Sequence, residues 1–381
     1  MKNGIVKAWF YKAFNWSVLK TGRWQWIDYL RGIVILLVAF RHSLLGIEHN
    51  NITVPAWVDN ANTITSSFRM PLFFVLSGIF IKGSMAKRTL GQIIGTKFEN
   101  LIYPYLIWAF IQVTMQIVLA GSSNTHRTWI DYTYILYQPR DLDQFWYLPA
   151  LFNASIVYMV LESKLKPAKW VHVVLGVFLY FVSHYFQRIS MLSDWMRFYI
   201  FFALGAVISD FFFKESSQRF LKSPWPLVLI TPVFVLAELF FVSKDESFFL
   251  NDNDLVGRIE YLIIALIGCL SMFILAFRLQ SWNVLRFLRV IGFHSMYIYV
   301  MHVMVAAASR ALLMKVFHIS NPFVLLIIII FLAVTIPIIF YNLLINDNIL
   351  WFLFSYRRKK EAKVPRQQPG QQQPVTKPLP S

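Results

Sequence analysis

The chain is 381 residues long, 57% hydrophobic and 17% aromatic, with only 14% charged residues and a mean hydropathy of +0.54. A soluble protein of this size carries roughly 25% charged residues, so the composition excludes an ordinary soluble enzyme and predicts an all-α, polytopic integral membrane bundle. The net charge of +17 does not argue for nucleic acid, because the basic residues lie between apolar segments, where membrane topology explains them better.

Residues 1–23 form a basic arm. The first apolar run, near 26–47, has no small-residue cleavage site and reads as a retained helix. It contains Arg31 and His42. Eleven residues of α-helix turn through three revolutions plus roughly 20°, so the two side chains share one face about 16 Å apart along the axis. Ionisable residues at membrane depth are costly and read as functional. Asp28, three residues before Arg31, can pair with it or orient it. Arg41 falls about 80° off the His42 face and is expected to snorkel outward.

The second run, near 64–81, begins at Arg69, either an interfacial anchor or a group that meets a substrate. It ends at Ser77-Gly78, where small residues either pack against a neighbour or leave a hydroxyl to line a pocket. The loop 82–97, ending at Lys97, precedes a third run near 101–120. A fourth, near 144–162, opens with Trp146 and Tyr147, which serve either an interfacial aromatic belt or the stacking of a sugar ring. Runs near 170–186, 198–213, 225–243 and 259–277 follow. The last of these holds Cys269, the single cysteine, which excludes an intramolecular disulfide and a Cys-rich metal site. The ninth run, near 291–309, begins with His294 and carries Tyr299 and His302 near its middle. His302 reads equally as a satisfied core histidine or as part of a site lining. The tenth covers 322–345.

Loop charges test the count of ten. Alternate loops and both terminal segments hold 25 Lys and Arg residues, the intervening loops 8, and Arg31, Arg41 and Arg69 lie within the spans. This asymmetry places both termini in the cytoplasm, with Arg31 toward that side and His42 toward the outer side. The membrane unit is expected over 24–355, and 356–381 is expected to be a basic, then Pro- and Gln-rich disordered tail. No metal is expected, since the chain lacks a His-Glu-x-x-His helix and a cysteine cluster.

Four blocks occur in order: Asp28-Tyr-Leu-Arg31-Gly followed by His42, Met70-Pro-Leu-Phe-Phe-Val-Leu-Ser-Gly78, Phe145-Trp-Tyr-Leu148, and Ile291-Gly-Phe-His-Ser-Met-Tyr-Ile-Tyr-Val-Met-His302. Together, over residues 24 to about 345, they resemble the acyltransferase 3 family of membrane O-acyltransferases. The Met-Pro-Leu-Phe-Phe form is similar to its fucose 4-O-acetylase-like branch. The chain departs from the family where two basic residues three apart precede the third helix: Lys97 fills the first position and Asn100 the second.

The resemblance implies transfer of an acyl group, most simply acetyl, from acyl-CoA to a hydroxyl of a carbohydrate or cell-surface glycan at the cytoplasmic membrane. It implies His42 as base or acyl carrier, assisted by Arg31 and Asp28. Imidazole suits the role because its unperturbed pKa lies near 7. Arg31, Ser77, Lys97 and His294 are the residues expected around the donor. Arg69, Trp146, Tyr147, Tyr299 and His302 are those expected around the acceptor. Two rival classes use the same polar residues: a transporter or flippase for a glycan or lipid-linked sugar, and a membrane sensor that binds a ligand within the bundle.

Overall fold

The computed structural model describes residues 11–20, 24–119, 127–244, 255–345 and 350–357. The Pro- and Gln-rich tail expected beyond 356 lies almost entirely outside the described residues, as does most of the basic arm. Ten helices among the described residues are long and apolar enough to cross a membrane, and they coincide with the ten apolar runs of the sequence. They form a polytopic bundle built around α1 (Gln25–Glu48), α2 (Ala56–Ile79), α3 (Tyr103–Val118), α4 (Tyr147–Lys164), α5 (Lys169–Val182), α6 (Ser190–Phe213), α7 (Pro224–Ser243), α8 (Leu255–Trp282), α9 (Ser295–Lys315) and α10 (Pro322–Phe340).

Lipid offers no hydrophobic gain for one helix meeting another, so close packing and interhelical hydrogen bonds hold such a bundle together. Glycines permit the closest crossings. A Cβ at Gly32 on α1 would overlap the Leu288 carbonyl, and one at Gly292 would overlap the Asp28 carbonyl. The short helix Phe287–Phe293 therefore lies backbone to backbone on the first half of α1. A second such crossing joins α2 to α6, where Gly78 faces the Phe202 carbonyl and Gly205 the Val75 carbonyl. Close packing is thus the role of Gly78, while its neighbour Ser77 keeps a half-buried hydroxyl. The periphery is apolar instead: Val228, Leu229 and Leu236 of α7 and Ile327 and Phe331 of α10 are exposed, as lipid-facing side chains must be.

Residues near both ends of the chain meet at one face of the bundle. Asn342 donates to the Ala13 carbonyl (2.9 Å) and Tyr103 to the Phe352 carbonyl (2.6 Å). Trp26 packs there against Phe277, Phe212 and Phe273, with ring centroids 4.9–6.0 Å apart. Arg31 lies on the half of α1 nearest this face, and His42 toward the opposite one.

Three element boundaries differ from expectation. α2 begins at Ala56 behind Pro55, not near residue 64, because the polar stretch Asp59–Ser67 is helical. Arg69 therefore sits in the middle of α2 and does not begin it. The segment around Lys97 is helix Leu90–Lys97 continuing through a π-turn, Phe98–Ile102, into α3, where a loop was expected. The fourth span starts early, with the kinked turn Pro139–Trp146 leading into α4.

Candidate active site

A cavity of about 560 Å³ opens within the bundle on the His42 side. α1 contributes Val38, Arg41, His42, Leu45, Gly46 and His49 to its wall. That spacing is one helical stripe, about 140° wide at about 100° per residue, so Arg41 belongs to the wall together with His42. The expectation that Arg41 snorkels outward is wrong for this reason: an 80° offset still falls within a wide stripe.

His42 has no hydrogen-bond partner among the described residues, and its ring lies on the cavity wall. His302 of α9 meets it edge to face, with centroids 5.1 Å apart. His302 Nδ1 points at two carbonyls, Tyr299 O at 2.8 Å and Ile298 O at 3.1 Å. Carbonyls only accept, so Nδ1 carries the proton and Nε2 is left as an acceptor. Nε2 is buried and has no partner among the described residues.

Arg69 reaches the same cavity from α2. Its Nη1 donates to Thr65 Oγ1 (3.3 Å), Asn62 Oδ1 (3.4 Å) and the Leu37 carbonyl (3.4 Å). The polar prefix that hid the start of α2 thus holds this guanidinium in place. Across the cavity, Asp143 adopts φ 60° and ψ −112° in the kinked turn before α4. A non-glycine residue there is strained, and such strain gathers where a side chain must be aimed. Asp143 Oδ2 accepts from Gln112 (2.9 Å) and Gln116 (3.3 Å) of α3, and Gln144 donates to Gln112 (2.9 Å).

Arg140 is held by Asp194 through Nε (2.9 and 3.2 Å) and Nη2 (2.5 Å), and its guanidinium stacks 4.2 Å from the Trp146 ring. The Asp194 side chain is 4% exposed. Removing its partner strands a buried carboxylate, which costs about 3 kcal/mol or more. Arg140→Ala should therefore lower the melting temperature of the purified protein markedly, and Asp194→Asn, which removes the charge itself, should lower it less.

An aromatic strip leads from His302 toward the other face. Tyr299 lies 6.3 Å from His302 and 5.5 Å from Tyr147 by ring centroids. The Tyr147 hydroxyl is hydrogen-bonded to Ser77 and stands within electrostatic range of Arg31. Tyr299 donates to the Gln144 carbonyl. Side chains of α1, α2, α4 and α9 thus form one connected path between the levels of Arg31 and His42.

Comparison with known families now bears on this path. Residues 24–342 match the family described as the acyltransferase domain, acyltransferase 3. The chain belongs to this family. Two curated relatives are similar to it: the nodulation protein NolL of Sinorhizobium fredii, 23% identical over 145 residues, and that of Mesorhizobium japonicum, 24% identical over 145 residues. These matches cover 38% of this chain and 38% and 37% of the relatives, so the chain spans well under half of either one's length. No solved structure matches the chain.

Within this acyltransferase 3 chain, His42, Arg69 and Trp146 line the same cavity, His302 stands against His42 and Tyr299 lies beyond His302. Tyr147, expected beside Trp146 at the acceptor mouth, is buried and turned toward Ser77 and Phe73. Asp28 is buried beneath the Gly292 crossing. Lys97 is not part of the cavity wall. His294 is fully buried, with Nδ1 on the Val290 carbonyl (2.7 Å) and Nε2 accepting from Asn342 (3.0 Å). Asn342 also holds Ala13, so His294 joins the start of the ninth span to the N-terminal segment and the end of the tenth span.

Sequence reasoning missed Asp143, Gln112 and Gln116, and it placed Arg140, Arg197 and Arg310, all on the cavity wall, in loops. The one available signal was charge: these arginines belong to the face on which the loops carry few basic residues. Among the described residues no group of three His, Cys, Asp or Glu side chains could hold a metal ion.

Proposed function

We propose that this family member is a membrane O-acyltransferase that takes an acyl group, most simply acetyl, from acyl-CoA and passes it to a carbohydrate hydroxyl held in the cavity beside His42. The observation that carries the reading is His42 itself: an imidazole without a hydrogen-bond partner among the described residues, on a cavity wall that also bears Arg41 and Arg69, sharing a helix face with Arg31 about 16 Å away.

Both termini lie in the cytoplasm on this reading, as the loop charges favour, and the protein sits in the cytoplasmic membrane. Acyl-CoA approaches the Arg31 face, where a guanidinium suits its phosphates or its thioester carbonyl. An extended pantetheine arm spans the depth to His42. His42 then removes the proton of the acceptor hydroxyl, and the oxygen attacks the thioester carbonyl carbon. The tetrahedral intermediate collapses with cleavage of the C–S bond, and the thiolate leaves with the proton from the imidazolium as CoA-SH. Arg69, braced by Thr65 and Asn62, offers charge to the oxyanion. His302 Nε2 accepts a hydrogen bond from the His42 ring or from the acceptor and so fixes the orientation of what it holds.

The test is direct. Full-length protein reconstituted in lipid and given acetyl-CoA with a glycan extract should release CoA-SH in step with the appearance of base-labile esters on the glycan. Intact thioester alongside glycan movement across the bilayer would return the transporter reading instead.

A further inference from the structure

A second cavity of about 320 Å³ adjoins the first and shares Arg140 and Arg197 with it. Around the two spaces together stand six arginines and two aspartates. Both aspartates are engaged, Asp194 by Arg140 and Asp143 by Gln112 and Gln116. Among the described residues Arg140 is the one arginine of the six held by an aspartate, and besides Arg41 and Arg69 the surplus of positive charge lies on three others. Arg258 is 6% exposed and is tied by hydrogen bonds to the carbonyls of Tyr180 and Phe181 and to His184 Nδ1 (3.0 Å). Arg197, half-buried, makes no hydrogen bond among the described residues; the Tyr261 ring lies 5.8 Å away, and Asp194, already held by Arg140, stands within electrostatic range.

Arg310 is the most telling of the three. It is 7% exposed, lines the first cavity, and has no hydrogen bond or ion pair among the described residues. Its Nη1 lies where a Cβ on residue 46 would be, and Gly46 leaves that place free. Gly46 stands one turn beyond His42 on the same stripe of α1. Keeping an unpaired guanidinium buried at membrane depth is costly, and this one lies within a turn of the reacting centre.

From this geometry we infer that the joined cavity binds the oxyanion of an acidic acceptor, a carbohydrate bearing a carboxylate or a phosphate ester, with Arg310 as its principal contact and Arg197 as a second. This names the acceptor class of the acyl transfer proposed above and rests on that reading. A planar guanidinium takes either group through two parallel N–H···O bonds. The donor's phosphates remain at the Arg31 level, at the other end of the helix.

Binding to full-length protein in lipid nanodiscs, measured with glucuronate, glucose 6-phosphate and glucose as probes, tests the inference without any thioester present. At least one of the two anionic sugars should bind about tenfold or more tightly than glucose, the scale of one charge-assisted hydrogen bond. The advantage should shrink as salt is raised, disappear in Arg310→Gln and survive in part in Arg310→Lys. Arg197→Gln should weaken it as well, and that half-buried position keeps the test open should Arg310→Gln fail to fold. Glucose binding as well as both acids, or a folded Arg310→Gln that retains the preference, overturns the inference. It is also overturned if CoA displaces the anionic sugar and loses affinity in Arg310→Gln by the same factor, because the oxyanion is then the donor's. The CoA-SH release assay judges the transfer reading independently, so the two can fail separately.

Discussion

Replacing His42 with alanine is expected to lower acyl transfer by at least a hundredfold while the protein still inserts, purifies and melts as the unaltered chain does. General-base catalysis by a positioned imidazole is worth ~10²–10⁴ in rate, and the other imidazole on the wall, His49, lies about 10 Å farther along α1 with Nδ1 turned to the Leu45 carbonyl. Stability should hardly change, because His42 makes no hydrogen bond to the rest of the described structure and its ring already borders open space. The informative measurement is single-turnover CoA-SH release with radiolabelled acetyl-CoA, followed by separation of protein from small molecules. Label trapped on the unaltered protein in the absence of acceptor, and absent from His42→Ala, would identify an acyl-histidine; label found only on the glycan would identify direct transfer. Near-normal acylation by a folded His42→Ala protein would remove the axis of the proposed mechanism.

A second large effect is expected at the α1 crossing. Gly32→Val and Gly292→Val each place a side chain where a carbonyl of the facing segment lies. Overpacking a core typically costs about 1–3 kcal/mol when side chains can move aside. Here the obstacle is backbone on both sides, so the cost should lie at or above the top of that range. The consequence would reach well beyond the contact, since the short helix Phe287–Phe293 leads directly into His294 and α9, the helix that carries His302. We expect both variants to be recovered poorly and to melt well below the parent in detergent, whereas Gly83→Val, at a position with open space around it, should behave normally. Equal melting temperatures for all three would show that the crossing does not hold the bundle together.

The helices were legible because twenty apolar residues in a row have few alternatives in lipid. Their ends were less so. The stretch Asp59–Ser67 reads as loop by composition, yet it is helical and its polar side chains serve the interior: Asn62 and Thr65 brace Arg69, and Ser67 donates to the buried Glu238 (2.7 Å). The same blindness affected charge. Arg140, Arg197, Arg258 and Arg310 lie close enough to helix ends to pass for loop residues, and only packing reveals that they point inward. The Arg31–His42 spacing was readable because both residues ride on one helix, where sequence distance is spatial distance. Asp143 was not, since its aim depends on a kink and on two glutamines from another helix. Arg41 was misread through treating a helix face as a line when this cavity takes a broad stripe.

The glycine-clamped first helix has one more consequence for the proposed transfer. A helix pinned along its lower half cannot stretch, so the depth at which a thioester arrives is set by the rise of the chain. Whatever extends beyond the reacting carbonyl must then project into the same 560 Å³ that receives the other substrate. Each methylene added to the incoming group is subtracted from the room left for its recipient. Acyl length and glycan bulk become a single, shared selection, and a short acyl group is what leaves a large sugar its place.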